Sequence, residues 1–177
     1  MNYNIEIIDV NSEKYPDNLK RIANPPQKLY VIGNVDNLRT NSIAVIGSRI
    51  CSEKGADTAK NFSYKLSKCG LTIVSGMAKG IDTLAHIGAL EAGGKTIAVL
   101  GGGFKHIFPK ENVKLFERII KENGTIVSEY KEDEEPSSIK FIERNRIVSR
   151  SIIRSISSRS KEKKWHKYYC KYCKKPK

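Results

Sequence analysis

The sequence predicts an α/β fold, a Rossmann-like, doubly wound and mostly parallel sheet. Three observations carry that prediction. Apolar, β-favouring runs alternate with amphipathic stretches at the spacing of strand–helix–strand units. Three of those runs stop at glycine, at Gly47, Gly76 and Gly101, which sets three backbone-rich turns along one edge of the sheet. No apolar run is long enough to span a membrane, and 177 residues suit one domain with its own core.

Residues 1–28 read as a lead-in segment. A short apolar alternation at Ile5, Ile7 and Ile8 gives way to Tyr15-Pro16 and Pro25-Pro26, which favour extended or turn structure. Residues 29–149 read as the Rossmann-like domain, and its first strand, 29–32, closes at Gly33-Asn34. The strand 43–46 runs into Gly47-Ser48-Arg49. Ser52 is then a candidate N-cap for a helix that turns Ala56, Ala59, Phe62 and Leu66 inward. Gly70 caps that helix before the strand 71–74.

The turn 75–80 feeds a helix whose Ile81, Leu84, Ala85 and Ala89 share one face, with Gly88 beside them for close packing on the sheet. The free N–H groups of its first turn would face an anion. The strand 96–100 ends at Gly101, Gly102 and Gly103. A helix over 111–121 carries Val113, Phe116, Ile119 and Ile120, stops at Asn123-Gly124 and precedes the strand 125–129. An acidic loop over 132–136 leads to the basic stretch 140–147.

The net charge of +13 points to nucleic acid at first sight, but its distribution is uneven. Residues 150–177 hold eleven Lys/Arg and one acid, which leaves 21 Lys/Arg against 18 acids in residues 1–149. Four cysteines (Cys51, Cys69, Cys170, Cys173) without a basic, apolar leader at residues 1–10 read as thiols of a cytoplasmic chain.

None of the turns is a G-x-G-x-x-G fingerprint or a Walker loop, which argues against ordinary NAD binding and ATP hydrolysis. Arg49, after a strand-end Gly-Ser, suits a phosphate, being always charged and able to bind it with two N–H groups; the bland alternative is a surface arginine capping a carbonyl. Lys79 can reach the same phosphate or stay solvated. Arg144 and Arg146 flank Asn145 with Phe141 one turn earlier, the equipment for single-stranded nucleic acid. The competing reading keeps Phe141 and Ile147 in the core and pairs the arginines with Glu129 or Asp82. Asp82 and His86 share a helix face, so acid–base work is conceivable, although a histidine in an apolar stripe is usually a core residue. His106 lacks a metal-type partner. No nucleophile–base pair is found, so no catalytic residue, metal or cofactor is assigned.

These residues occur in one order: Tyr15-Pro16, Pro25-Pro26, Leu29-Tyr30 with Gly33-Asn34, Gly47-Ser48-Arg49, the run from Ser75 to Asp82 with His86, Gly101 to Gly103 with Phe108-Pro109 and Asn112, Ser128-Glu129, and Phe141 with Arg144-Asn145-Arg146-Ile147. As an ordered set they closely resemble the DNA processing protein A (DprA/Smf) family over residues 12–149. The resemblance implies an extended Rossmann-like domain that binds single-stranded DNA without hydrolysing nucleotide. It also implies delivery of the strand to the RecA recombinase in natural transformation, usually by a homodimer. By motif, Gly47, Ser48, Arg49, Ser75, Gly76, Lys79, Lys140, Phe141, Arg144, Asn145 and Arg146 resemble the DNA-contacting positions. Phe108 stands where the family often has tyrosine, and Ile142 where it often has proline. A reading from another class is a Rossmann-like enzyme or sensor of a small nucleotide, resembling the cytokinin-activating phosphoribohydrolases. Their Pro-Gly-Gly-x-Gly-Thr loop is not reproduced at Gly101-Gly102-Gly103-Phe104-Lys105.

The resemblance stops at Ser149, where the family continues through a hydrophobic strand and a Lys-Ser-Gly motif, so the sheet and the dimer surface are expected to be incomplete there. Residues 150–177 have no apolar period. They read as a basic tail able to bind nucleic acid, as part of a zinc site at His166, Cys170 and Cys173, or as an out-of-frame product. Read one base on, permitted codons for residues 152–166 give a buried strand followed by Lys-Ser-Gly-Thr. That third reading implies an impaired protein.

Overall fold

The computed structural model describes residues 3–150 and 154–157. Seven strands form one sheet: β1 (Glu6–Asp9), β2 (Lys28–Gly33), β3 (Ser42–Ile46), β4 (Thr72–Ser75), β5 (Thr96–Val99), β6 (Thr125–Ser128) and β7 (Arg154–Ser157), in the order β1-β2-β6-β5-β4-β3-β7. Helices α1 (Asp17–Lys20), α2 (Glu53–Lys68), α3 (Ile81–Glu91), α4 (Val113–Lys121) and α5 (Ser138–Arg150) complete the fold. The pairs from β6 through β5, β4 and β3 to β7 are parallel. The α/β, mostly parallel reading therefore holds.

Alternation along the strands explains why both faces are covered. Leu29, Val31, Ile97, Val99 and Val127 enter one apolar cluster with Phe62, Leu66, Ala85 and Ile147. Their neighbours Ile32, Ala98, Leu100 and Ile126 enter the other, closed by Leu115, Phe116 and Ile119 of α4. α2 begins where the sequence suggests, with the Ser52 hydroxyl accepting from the Gly55 N–H at 3.2 Å.

Four particulars differ from the sequence reading. β1 and β2 run antiparallel at one edge, β2 against β6, so the lead-in adds a strand and buries Ile8, Tyr15 and Leu19 in the common core. Gly88 packs on α2 and not on the sheet, because a Cβ there would lie 2.2 Å from the Lys60 carbonyl oxygen. Cys51 carries a free thiol, but Cys69 is disulfide-bonded. Finally, α5 runs back to the free edge of β3, where Arg154–Ser157 pairs as β7. Backbone pairing asks little of side chains, so a polar segment can fill that edge. The zinc, basic-tail and out-of-frame readings otherwise fall on residues outside those described. Among the described residues no helix is long and apolar enough to cross a membrane.

Candidate nucleic-acid interface

Because β3, β4 and β5 are parallel, the turns after Ile46, Ser75 and Val99 all emerge at one edge. The first two are locked together. The Ser48 carbonyl accepts the Ile81 N–H at 3.2 Å and so uses one orphan donor of α3. Gly80, at φ +76°, makes that approach possible, since a Cβ there would come within 2.4 Å of the same oxygen. Asn112 pins the second turn from outside, donating to the Met77 carbonyl at 2.8 Å and the Thr83 hydroxyl at 2.9 Å. Met77 itself sits at φ +60°, an unusual conformation held by these contacts.

The expected anion cradle at this turn is already filled. Asp82 turns its carboxylate back to accept from the N–H groups of Gly76 (3.1 Å) and Ala78 (3.4 Å). Burial pushes its pKa up, against the pull of Arg144 and of those N–H groups. Ser75 is buried below, donating to the Val45 carbonyl at 2.7 Å. The sequence reading gave Asp82 no such role, although an acidic residue in the first turn of a helix is the signal that could have found it.

The triple glycine is a floor for other protein segments. A Cβ on Gly101 would meet the Phe141 ring at 2.5 Å, one on Gly102 would meet Pro136 at 2.9 Å, and one on Gly103 the Lys131 carbonyl oxygen at 2.1 Å. The small-nucleotide reading needs that loop open, and here it is covered.

α5 is fastened over these turns by Arg144, which is buried and donates through Nη1 to the carbonyls of Gly76 and Val99. Burial pulls its pKa down, opposed by Asp82. Arg146 forms two bonds to Glu129, at 2.7 and 2.6 Å, and a third to the Asn24 carbonyl at 3.0 Å. The carboxylate pushes the guanidinium pKa up. Asn145, between them, is exposed.

Arg49, Gly76, Lys79, Phe108, Phe141 and Arg144 line a small cleft of about 80 Å³. Arg49 is exposed, lies 5.9 Å from the centre of the Phe141 ring and has no carboxylate within ion-pair distance among the described residues. Phe141 is tilted against Phe108, centroids 5.5 Å apart, and Phe108 is half exposed. Lys79 is exposed and pairs with Glu111. Phe108 is shared with a wider groove of about 830 Å³ that also reaches His106 and Lys110. Of the residues named from sequence, Arg49, Gly76, Lys79, Phe141 and Arg144 meet at the cleft. Gly47 and Ser48 form the exposed loop beside it, with the Ser48 hydroxyl engaged by Ile50. Lys140 is turned away, toward Glu134.

His86 is no acid–base group. The Thr96 hydroxyl donates to the Ile73 carbonyl at 2.8 Å, so it accepts from His86 Nδ1–H at 2.7 Å and leaves Nε2 bare. Full burial, helped by Arg144, pushes the pKa down to about 3. Among the described residues no group of His, Cys, Asp and Glu is arranged to hold a metal ion.

Comparison with known proteins bears on this edge. The family of DNA recombination-mediator protein A matches residues 6–156, past both ends of the resemblance read from sequence. The DNA processing protein DprA of Streptococcus pneumoniae is 44% identical over 135 residues, which cover 76% of this chain and 47% of that protein. Protein Smf of Escherichia coli is 38% identical over 146 residues, 82% of this chain and 39% of that protein. The chain thus spans less than half the length of these relatives. The crystal structure of the Streptococcus pneumoniae protein superposes with a TM-score of 0.82 at 37% identity, over 94% of this chain and 58% of that one. DNA processing protein A of Helicobacter pylori, solved for its single-stranded DNA binding mode, gives 0.79 at 29% identity, over 96% and 76%.

Proposed function

This chain belongs to the DNA recombination-mediator protein A family, and from that premise we propose that it binds single-stranded DNA at the cleft between the Gly47 and Ser75 turns and α5. The observation that carries the reading is an exposed Arg49 beside the ring of Phe141, without an acid partner among the described residues. Such a pair neutralises a phosphate and offers a face on which a base can stack. Gly47 and Ser48 bring backbone to the strand, Lys79 and Lys140 supply further cations, and Asn145 lies exposed for a polar contact. Ser75, Gly76, Arg144 and Arg146 act beneath the cleft, shaping it. The filled cradle at Asp82 and the covered Gly101 loop support binding without nucleotide chemistry.

The finer reading makes this a cytoplasmic mediator of natural transformation, handing the strand to RecA recombinase as a homodimer. Loading of RecA onto strands coated by this chain, and its mass in solution, test those two points.

A titration tests the site itself. Single strands are expected to bind in preference to duplex, with affinity falling steeply as salt rises. Arg49→Ala should weaken binding uniformly across sequences and flatten the salt dependence, the log–log slope falling by about 0.7. Phe141→Ala should remove about 1–3 kcal/mol of stacking and leave that slope alone. Unchanged affinity in both variants overturns the reading, and release of base from a nucleotide substrate would favour the phosphoribohydrolase class. Impairment by an out-of-frame tail is tested on the coding DNA, whose codons over 152–170 must yield the strand and Lys-Ser-Gly one base on.

A further inference from the structure

We infer that Glu134 sets the affinity of this chain for single-stranded DNA by occupying Lys140 in the free protein, an inference that rests on the function proposed above. The Lys140 ammonium is held on three sides. It donates to the Glu134 carboxylate at 3.0 Å and to the Glu135 carbonyl at 2.9 Å, and it lies 4.7 Å from the centre of the Tyr130 ring. Its side chain is only 23% exposed. A phosphate needs the same donor, so strand and carboxylate compete for it.

The competitor is fixed in place. Gly103 N–H donates to the Glu134 carbonyl at 2.7 Å, and Lys105 N–H to the Glu132 carbonyl at 2.8 Å. The close approach of Gly103 to the Lys131 and Glu132 carbonyls has the same effect, docking the acidic turn on the glycine loop. Glu134 also accepts the Lys131 N–H at 2.9 Å, which, ahead of Lys140, draws its pKa down and keeps it charged. The turn cannot swing away with its acid, so the lysine side chain must leave it. Lys79 differs: its side chain and that of its partner Glu111 are both exposed, 55% and 65% respectively.

Glu134→Gln isolates the effect. The amide oxygen keeps the bond from Lys131 N–H, while the amide NH2 presents a donor to Nζ and releases it. Single-strand affinity is expected to rise about two- to fivefold at low salt, with the log–log salt slope steeper by about 0.7 as one more phosphate contact forms. Glu134→Asp, which keeps the charge but withdraws the carboxylate, should move both quantities in the same direction. Lys140→Ala placed on Glu134→Gln should cancel the gain. Glu132→Gln removes the same charge beside Lys105, and any gain it gives should survive Lys140→Ala. Variants matching the wild type in affinity and slope overturn this inference, as does a Glu134→Gln gain that survives Lys140→Ala. A wild-type chain that fails to retain single strands, or is unaffected by both Arg49→Ala and Phe141→Ala, overturns the proposed function and this inference with it.

Discussion

Arg49 and Arg144 border the same cleft, yet they stand in opposite situations. Arg49 rises from an exposed turn after β3, touches one aromatic ring and has no acid partner among the described residues. Arg144 reaches in from α5, is buried and spends its donors on the carbonyls at the ends of β4 and β5. The difference is one of timing. Arg144 makes its bonds on folding, so its charge builds the site, while Arg49 stays available to an incoming phosphate. Charge alone does not mark a contact; the partner already in place does.

The comparison breaks most visibly under substitution. Arg144→Ala removes the fastening of α5 and the positive charge that opposes the effect of burial on the Asp82 carboxylate. Removing one member of such a buried arrangement typically costs about 3–5 kcal/mol, so urea unfolding should show a loss of that size. Arg49→Ala, an exposed change away from any cap or core contact, should stay within about 0.5 kcal/mol of wild type while losing DNA. Equal stability losses in the two variants would erase the distinction.

The buried side of the site should also respond to pH where the rim does not. His86 is held neutral with its pKa near 3, against 6.5 in the unfolded chain. Between those values the unfolded state binds the extra proton, so stability is complete above about pH 6.5 and falls as pH drops below it. The slope is about 1.4 kcal/mol per pH unit, or about 2 kcal/mol lost between pH 6.5 and 5. A His86→Asn variant lacks this contribution, and the difference between its stability–pH curve and that of the wild type should show that slope. Asp82, with its pKa raised, works in the opposite sense and is common to both curves. Identical slopes would mean that His86 titrates normally and is not sealed in.

Much of this contrast could not be read from the sequence. Strand ends at glycine and the periodic helices were legible because both follow local rules, period two for strands and an apolar stripe for helices. The antiparallel edge was not, since Ile5, Ile7 and Ile8 carry no information on which strand they pair with. Partners were the harder matter. Glu129 and Asp82 were candidates for the arginines, but only the crossing of α5 over the sheet decides that Arg146 takes Glu129 while Arg144 takes two carbonyls. Gly101 to Gly103 illustrates the same limit: a run of glycine says that something approaches closely, and here Phe141, Pro136 and the acidic turn do so in place of a ligand. The Lys140–Glu134 contact spans six residues across a turn whose shape no pattern announces.

Lys79 offers the finest test of the same contrast. It sits on the turn that Asp82 and Asn112 hold, but its side chain is exposed and its partner Glu111 is exposed too. A pair of this kind orders two long side chains in water and returns little to folding. Lys79→Ala should therefore leave the unfolding midpoint unchanged. Its effect should fall on binding, where one fewer phosphate contact lowers the log–log salt slope by about 0.7. Glu111→Gln should be silent in unfolding as well and leave the slope at or above the wild-type value, because the lysine is then free before DNA arrives. A lowered midpoint in Lys79→Ala with an unchanged slope would move Lys79 to the side of Arg144, among the residues that build the cleft. Silence in folding with a shallower slope would set it beside Arg49, at the rim where the strand is held.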